Sequence, residues 1–295
     1  MTTIGKREVL ELRAEVVRGI RRFFEGRGYL EVDTPIRVKT PALEDHIDAE
    51  PSGEKWLRTS PELHMKRMVC DGYEKIFQIG PCFRQGERGM HHLPEYTMLE
   101  WYQVGVDSSV ILIETLDLLR SVAQKVKMPS TGGLEQEPIM VTISDVFSQV
   151  AGWDPIKSFD SDRFDLDLIE KVEPWIEKQK SPIVVKDFPV ERAALARIKQ
   201  DDRPVADRWE LYVGGVELAN CYTELTDPSE QRRRFQECAK LRKKDGRPVY
   251  PLDERFLQAM DQKMPDCAGI ALGVDRLIML FAELDDISQV VAFSE

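Results

Sequence analysis

Between Lys75 and Tyr102 the chain reads KIFQIGPCFRQGERGMHHLPEYTMLEWY, and this stretch decides the fold. It reads as strand, loop, strand. In the first arm Phe77, Ile79 and Phe83 share one parity, and Gln78 and Arg84 fall on the other. In the second arm Thr97, Leu99 and Trp101 share one face, and Tyr96, Met98, Glu100 and Tyr102 share the opposite one. Each arm has an apolar side for a core and a more polar side that presents chemistry. The loop from Gln85 to Pro94 is polar, broken by glycines, and longer than a tight hairpin needs. Long loops of this kind are often functional. The polar faces carry an arginine, an acid, aromatics and two histidines, which suits a substrate with anionic and cationic ends. The alternative is a long hairpin with one solvated face, common in antiparallel sheets.

Upstream, Lys6 to Arg27 reads as an amphipathic helix with an apolar stripe of Val9, Leu12, Val16, Ile20, Phe23 and Phe24. Gly28 stops it. A short strand from Tyr29 to Val32 ends at Thr34-Pro35, and Arg37 to Lys55 reads as a polar, irregular loop. Ser60-Pro61-Glu62 opens a helix over Glu62 to Cys70, with Ser60 as N-cap. Taken alone, Glu62 is a helix-start acid. Downstream, Ser108 to Lys125 reads as a helix with Val110, Ile113, Leu116, Leu119 and Val122 facing inward. From Met128 to about Asp202 repeated prolines and glycines break the pattern into short helices, an insertion whose strand-like part is Ile183 to Phe188.

The second informative stretch is RWELYVGGVELANCYTE, Arg208 to Glu224. Gly214-Gly215 between two strand-like runs signals a two-residue hairpin. Pairing outward sets Val213 against Val216, Tyr212 against Glu217, Leu211 against Leu218 and Glu210 against Ala219. Glu210 and Glu217 then share a face with Cα atoms about 7–8 Å apart. Two carboxylates so placed suit a hard cation such as Mg²⁺ with phosphate oxygens; otherwise they are exposed acids on a wet strand. Near the C-terminus, AGIALGVDRLIMLF (Ala268 to Phe281) reads as a buried glycine-flanked strand running into an apolar helix, with Arg276 in its first turn. An arginine beside a helix N-terminus is a good anion site. The stretch is neither a P-loop nor a dinucleotide fingerprint. The basic run from Gln231 to Arg247 is a solvated surface helix or a docking face for an acidic partner.

The composition, 42% apolar and 32% charged over 295 residues, is that of an ordinary globular protein. A formal net charge of -11 argues against broad nucleic-acid binding. Five cysteines with no CxxC spacing read as reduced thiols, which points to the cytoplasm. No apolar run is long enough to span a bilayer, so no membrane partner is expected.

Three stretches now resemble one family pattern. TPI after the first helix, FR…HLPEYTMLEWY and GIALGVDR look like motifs 1, 2 and 3 of class II aminoacyl-tRNA synthetases. TSPELHMKR and GGVELANCYTELTDP resemble the lysyl branch, and the likeness runs from about Val9 to the C-terminus. The first helix begins near residue 6, which leaves no room for an anticodon-binding domain. That shortness, with MPDC-GIALGVDR and the closing AFS, resembles the GenX/PoxA family of lysyl-tRNA synthetase paralogues that modify elongation factor P. The resemblance implies an α+β fold: an antiparallel sheet flanked by helices, one catalytic domain over 1–295 with a helical insertion at 129–202. It implies activation of lysine or (R)-β-lysine with ATP and Mg²⁺, and transfer to a lysine of elongation factor P; the alternatives are a free-standing synthetase domain that charges tRNA and a non-catalytic paralogue that binds amino acid or adenylate. It also implies a homodimer through the first helix and the Pro35 strand; tRNA is not expected as a partner.

By the same resemblance Arg84 and Arg276 are catalytic, holding the α- and γ-phosphates. ATP binding falls to Arg84, Glu87, His92, Tyr96, Glu217, Leu218, Gly273 and Arg276, with Tyr96 stacking on adenine. Substrate binding falls to Ser60, Glu62, Glu100, Tyr102, Asn220, Glu224 and Ala271, and Mg²⁺ to Glu210 and Glu217. A diamino acid offers two cations, and three carboxylates converge on it. Ala271 stands where ordinary lysyl enzymes resemble each other in having glycine. Three departures from the pattern are Gln85-Gly86 in place of Asn-Glu, Leu93 in place of asparagine, and Cys221 in place of glycine.

Overall fold

A computed structural model describes residues 4–126, 133–199 and 202–294. In chain order its elements are α1 Lys6–Glu25, β1 Leu30–Glu31, β2 Arg37–Val38, β3 Pro51–Ser52, β4 Lys55–Leu57, α2 Glu62–Cys70, β5 Lys75–Phe83, β6 Glu95–Val104 and α3 Ser108–Val126. Then follow β7 Ile139–Thr142, α4 Ile143–Val150, α5 Ser161–Asp167, α6 Glu173–Glu177, β8 Ile183–Phe188, β9 Ile198–Lys199, β10 Val205–Val213 and β11 Val216–Thr223. The chain closes with α7 Pro228–Lys244, α8 Glu254–Lys263, β12 Cys267–Gly273 and α9 Val274–Phe281.

The main sheet runs β1-β5-β6-β12-β11-β10-β8-β7, with β9 beside β10. From β5 to β8 every pair is antiparallel; the outermost pairs, β1 with β5 and β7 with β8, are parallel. One face of the sheet is apolar. Phe77, Trp101, Ile270, Cys221 and Trp209 stand side by side across β5, β6, β12, β11 and β10, all buried. α1, α3 and α9 cover this face in one continuous core. The other face is polar in its middle, and there the strand alternation read from the sequence places the candidate site.

Four expectations need correction. The α3 residues Val110 and Ile113 are exposed, and the buried stripe is Ile111, Thr115, Leu118, Leu119 and Val122. The segment VILIETLDLL is apolar on two faces, so periodicity alone does not choose between them. The segment from Arg37 to Lys55 is not an irregular loop: β2, β4 and β3 form a small sheet, and Ala42, Leu43 and Ala49 are buried with α7 and α8 residues. The insertion is not purely helical. β7 and β8 extend the main sheet, and α4 to α6 pack Ile143, Phe147, Phe164 and Ile176 against β8 and β10. Its expected ends at 129–132 and 200–201 lie outside the described residues.

The fourth correction concerns the Gly214-Gly215 hairpin. Both glycines have positive φ, 59° and 81°, as such a turn demands. Val213 faces Val216 and Tyr212 faces Glu217, but Leu211 faces Ala219 and Glu210 faces Asn220. Leu218 is an extra residue, a β-bulge. A bulge re-aims side chains, and this one has a plain consequence. Glu217 and Asn220 have opposite parity, yet both line the same cavity.

Candidate active site

Strand register builds the floor. Gln78, Glu100, Ala271, Asn220 and Glu210 lie in one row across β5, β6, β12, β11 and β10. Two residues along, Ile76, Tyr102, Gly269, Tyr222 and Arg208 form the next row on the same face. Gly269 carries no side chain for a reason: a Cβ there would sit 2.2 Å from Cε1 of Tyr102 and 2.6 Å from Oε1 of Glu224. The missing methyl is the space the Tyr102 ring occupies.

At one end of the cavity the acids gather. Glu100 Oε2 accepts from Ser60 Oγ at 2.8 Å, and Oε1 accepts from Tyr102 Oη at 2.7 Å. Ser60 Oγ in turn accepts from the Glu62 backbone N–H at 2.9 Å, but the N-cap of α2 is Pro61, not Ser60 as expected. Burial, with Glu62 adding, pushes the Glu100 carboxyl up to about 8; Tyr102, Ser60 and Lys66 oppose the shift. Burial also pushes Glu224 up to about 7, against the pull of Lys66. Lys66, one turn along α2 from Glu62, sets Nζ 2.6 Å from Glu62 Oε1 and 2.5 Å from Glu224 Oε2. The three converging acids therefore already hold one internal cation, which the charge argument from sequence lacked.

At the other end stand the arginines. Arg276 donates from Nε to the His91 carbonyl at 3.1 Å and from one terminal nitrogen to the Glu217 carbonyl at 2.7 Å. Its other terminal nitrogen lies 2.7 Å from His92 Nε2, so that ring nitrogen is the acceptor. Burial, then the Arg276 charge, lowers the His92 pKa, which keeps the ring neutral. Arg84 packs 5.2 Å from the centroid of the Tyr96 ring and 3.5 Å from Glu87. Its Nε is buried with no hydrogen-bond partner among the described residues. An orphaned buried donor in a cavity wall is a place for an anion. Tyr96 Oη donates to the Thr59 carbonyl at 2.8 Å.

Ser60, Glu62, Arg84, Glu87, His92, Tyr96, Glu100, Tyr102, Glu217, Leu218, Asn220, Glu224, Ala271, Gly273 and Arg276 all line one cavity. Glu210 does not. Its carboxylate pairs with Arg208 and accepts from Tyr212 Oη at 2.8 Å, in a groove that adjoins the cavity through Glu217, Asn220 and Tyr222. Of the departures, Leu93 lines the cavity. Gln85 turns its N–H to the Asp48 carbonyl at 2.8 Å. Cys221 points into the core on the opposite face, so it leaves the ligand side unchanged. All five thiols are free.

Sequence reasoning passed over four residues that shape the site. Lys66 carried a signal, the i,i+4 spacing from Glu62. Gly269 carried one in its glycine. Arg208, which donates from Nε to Asn220 Oδ1 at 3.2 Å, had none. Nor had Arg242: fully buried, it donates to the carbonyls of Glu44 at 2.6 Å and Ile47 at 2.8 Å and pairs with Asp48. It thereby pins the segment that carries Glu44 to the cavity wall.

Comparison with known proteins shows the family. A family model described as tRNA synthetases class II (D, K and N) matches residues 2–295. A protein of Avibacterium paragallinarum named elongation factor P--(R)-beta-lysine ligase is 38% identical, over 97% of this chain and 95% of its own. Proteins of the same name from Histophilus somni (39%, over 96% of this chain and 93% of theirs) and Proteus mirabilis (38%, over 95% and 93%) are similar to the same extent. The chain belongs to the class II tRNA synthetase family (D, K and N), alongside the elongation factor P--(R)-beta-lysine ligases it resembles.

Proposed function

We propose that this protein is an ATP-dependent ligase that activates lysine or (R)-β-lysine as an acyl-adenylate and transfers it to a lysine side chain of elongation factor P. One observation carries the reading: a single cavity with two arginines at one end and, at the other, three carboxylates, of which Glu100 and Glu224 are buried. The first end suits a triphosphate, the second an acid bearing two ammonium groups. The names of the relatives support the acceptor and the β-amino substrate.

In the first step a carboxylate oxygen of the substrate attacks the α-phosphorus of ATP, and the bond to pyrophosphate breaks. Arg84, through its unpartnered Nε, and Arg276, held by the His91 and Glu217 carbonyls, face the charge that builds up. Such preorganised donors supply most of the acceleration in phosphoryl-type chemistry. In the second step a neutral amine of the acceptor attacks the acyl carbon, AMP leaves and the amine nitrogen loses a proton. No side-chain nucleophile is needed.

Mg²⁺ fits the donor set. Glu217 lines the cavity and Glu210 lies beside it, and burial, with the Glu217 charge adding, raises the Glu210 carboxyl. One or two carboxylates plus substrate phosphates is the usual magnesium arrangement. When bound there, the ion supplies charge neutralisation for the phosphates. We also infer a two-fold homodimer across α1 and the strand beyond it, supported by Leu30 and Ile36, exposed on that side.

The test is ATP–pyrophosphate exchange with lysine and with (R)-β-lysine, followed by the mass added to elongation factor P or to tRNA. Exchange with a diamino acid and a mass gain on elongation factor P are expected. No exchange with any amino acid refutes the catalytic reading, and acylation of tRNA alone refutes the acceptor.

A further inference from the structure

We propose that Lys66 is a resident counter-cation that sets the charge of the amine pocket and thereby its preference for substrates with two ammonium groups. The proposal rests on the function proposed above. Lys66 is 1% exposed and is not among the residues lining the cavity. It lies behind the acids and acts through them, as a positioning residue.

The geometry is specific. The ammonium takes one oxygen from each of two carboxylates, Glu62 Oε1 and Glu224 Oε2. Both carboxylates also border the cavity. Each acid is thus held by Lys66 and also faces the cavity. Three carboxylates with one ammonium leave a formal charge of −2, which an amino acid with two ammonium groups neutralises. Without Lys66 the same acids amount to −3.

A charge of −3 in a buried pocket does not persist, because desolvation disfavours every ionised form and the acids take up protons instead. The titratable groups around Lys66 are Glu62 and Cys70 on its own helix, Glu100 and Tyr102 on β6, Cys267 on β12, and Glu224 beyond β11. Burial works against the Lys66 charge, but Glu224 and Glu62 outweigh it and hold its pKa above the usual lysine value. In return Lys66 lowers both Glu224 and Glu100. Its removal therefore raises the pH at which the pocket is ready for a dication.

The experiment is equilibrium binding of lysine and (R)-β-lysine, measured by calorimetry from pH 6.5 to 9, on the wild type, Lys66→Met and Lys66→Arg. ATP binding serves as the control for an intact fold. Lys66→Met is expected to weaken diamino-acid binding at pH 7 by about tenfold and to move the pH midpoint up by about one unit, the equivalence between the two being fixed. Lys66→Arg retains both values, and ATP affinity is unchanged in each. Where Lys66→Met loses ATP binding through misfolding, Lys66→Gln replaces it, keeping a donor without the charge. An unshifted midpoint in a variant that still binds ATP overturns the proposal. A wild type that binds no diamino acid overturns instead the function on which it rests.

Discussion

Replacing Gly269 with alanine tests the floor of the site with one methyl group. The added Cβ would stand 2.2 Å and 2.5 Å from two carbons of the Tyr102 ring. Ordinary contact begins near 3.4 Å, so the ring must retreat by about 1.2 Å. Tyr102 is 2% exposed and packed in a cluster with Met65, Val69 and Ile76, so the ring can retreat only by disturbing these neighbours or by entering the cavity it lines. Overpacking of this kind costs about 1–3 kcal/mol in stability. A shift of that size also breaks the 2.7 Å bond from Tyr102 to Glu100. A hydrogen bond to a charged group contributes about 1.5–3 kcal/mol, which as binding energy is about 10- to 100-fold. The assay is pyrophosphate exchange, with KM read separately for the amino acid and for ATP, beside urea unfolding. The amino-acid KM should rise by that factor while the ATP KM stays within about twofold. Adding Tyr102→Leu to Gly269→Ala should restore stability without restoring affinity. An amino-acid KM within twofold of wild type in Gly269→Ala would refute the argument that the glycine exists to seat the tyrosine.

Three further outcomes follow from the same geometry. Arg276→Ala should lower the exchange kcat by about 10²–10³, the loss typical of a preorganised charge-stabilising donor, with the amino-acid KM little changed. Arg242→Met, which strands two carbonyls and Asp48 in the interior, should destabilise the fold by about 3–5 kcal/mol in urea and raise the ATP KM by loosening Glu44. The raised carboxyls Glu100 and Glu224 bind more protons folded than unfolded, so the unliganded protein should lose stability as pH rises from about 5 to 8. Urea midpoints at pH 5.5 and 8.5 measure this, and Glu100→Gln should flatten the slope.

The sheet was legible because its two informative hairpins alternate cleanly, and because glycine and proline mark their ends. The row that holds Glu100 follows from parity alone. The bulge at Leu218 was not legible, since counting outward from a two-residue turn assumes uniform pairing and nothing in VELAN interrupts the count. Lys66 and Arg242 were missed for another reason. A lysine in a helix beside other charges reads as solvated, and only tertiary packing reveals that α2 turns it inward. Arg242 sits in the run LRKK, and its neighbours Lys243 and Lys244 are exposed. Composition makes no distinction among them. Arg232 and Arg233 on α7 are solvated, as the surface-helix reading expected, and they also pair within the chain, Arg233 with Glu230 and Glu237 and Arg232 with Glu254.

β12 is the last strand of the described chain and occupies the middle of the sheet, between β6 and β11. Until residues 267–273 have been synthesised, the strands before it can form only two separate ribbons, each with a raw inner margin. Such margins invite mispairing. The molecule therefore closes like a zip fastened at its centre, and the cavity comes into being only at that late instant, when Gly269 and Ala271 slide between two halves made long before.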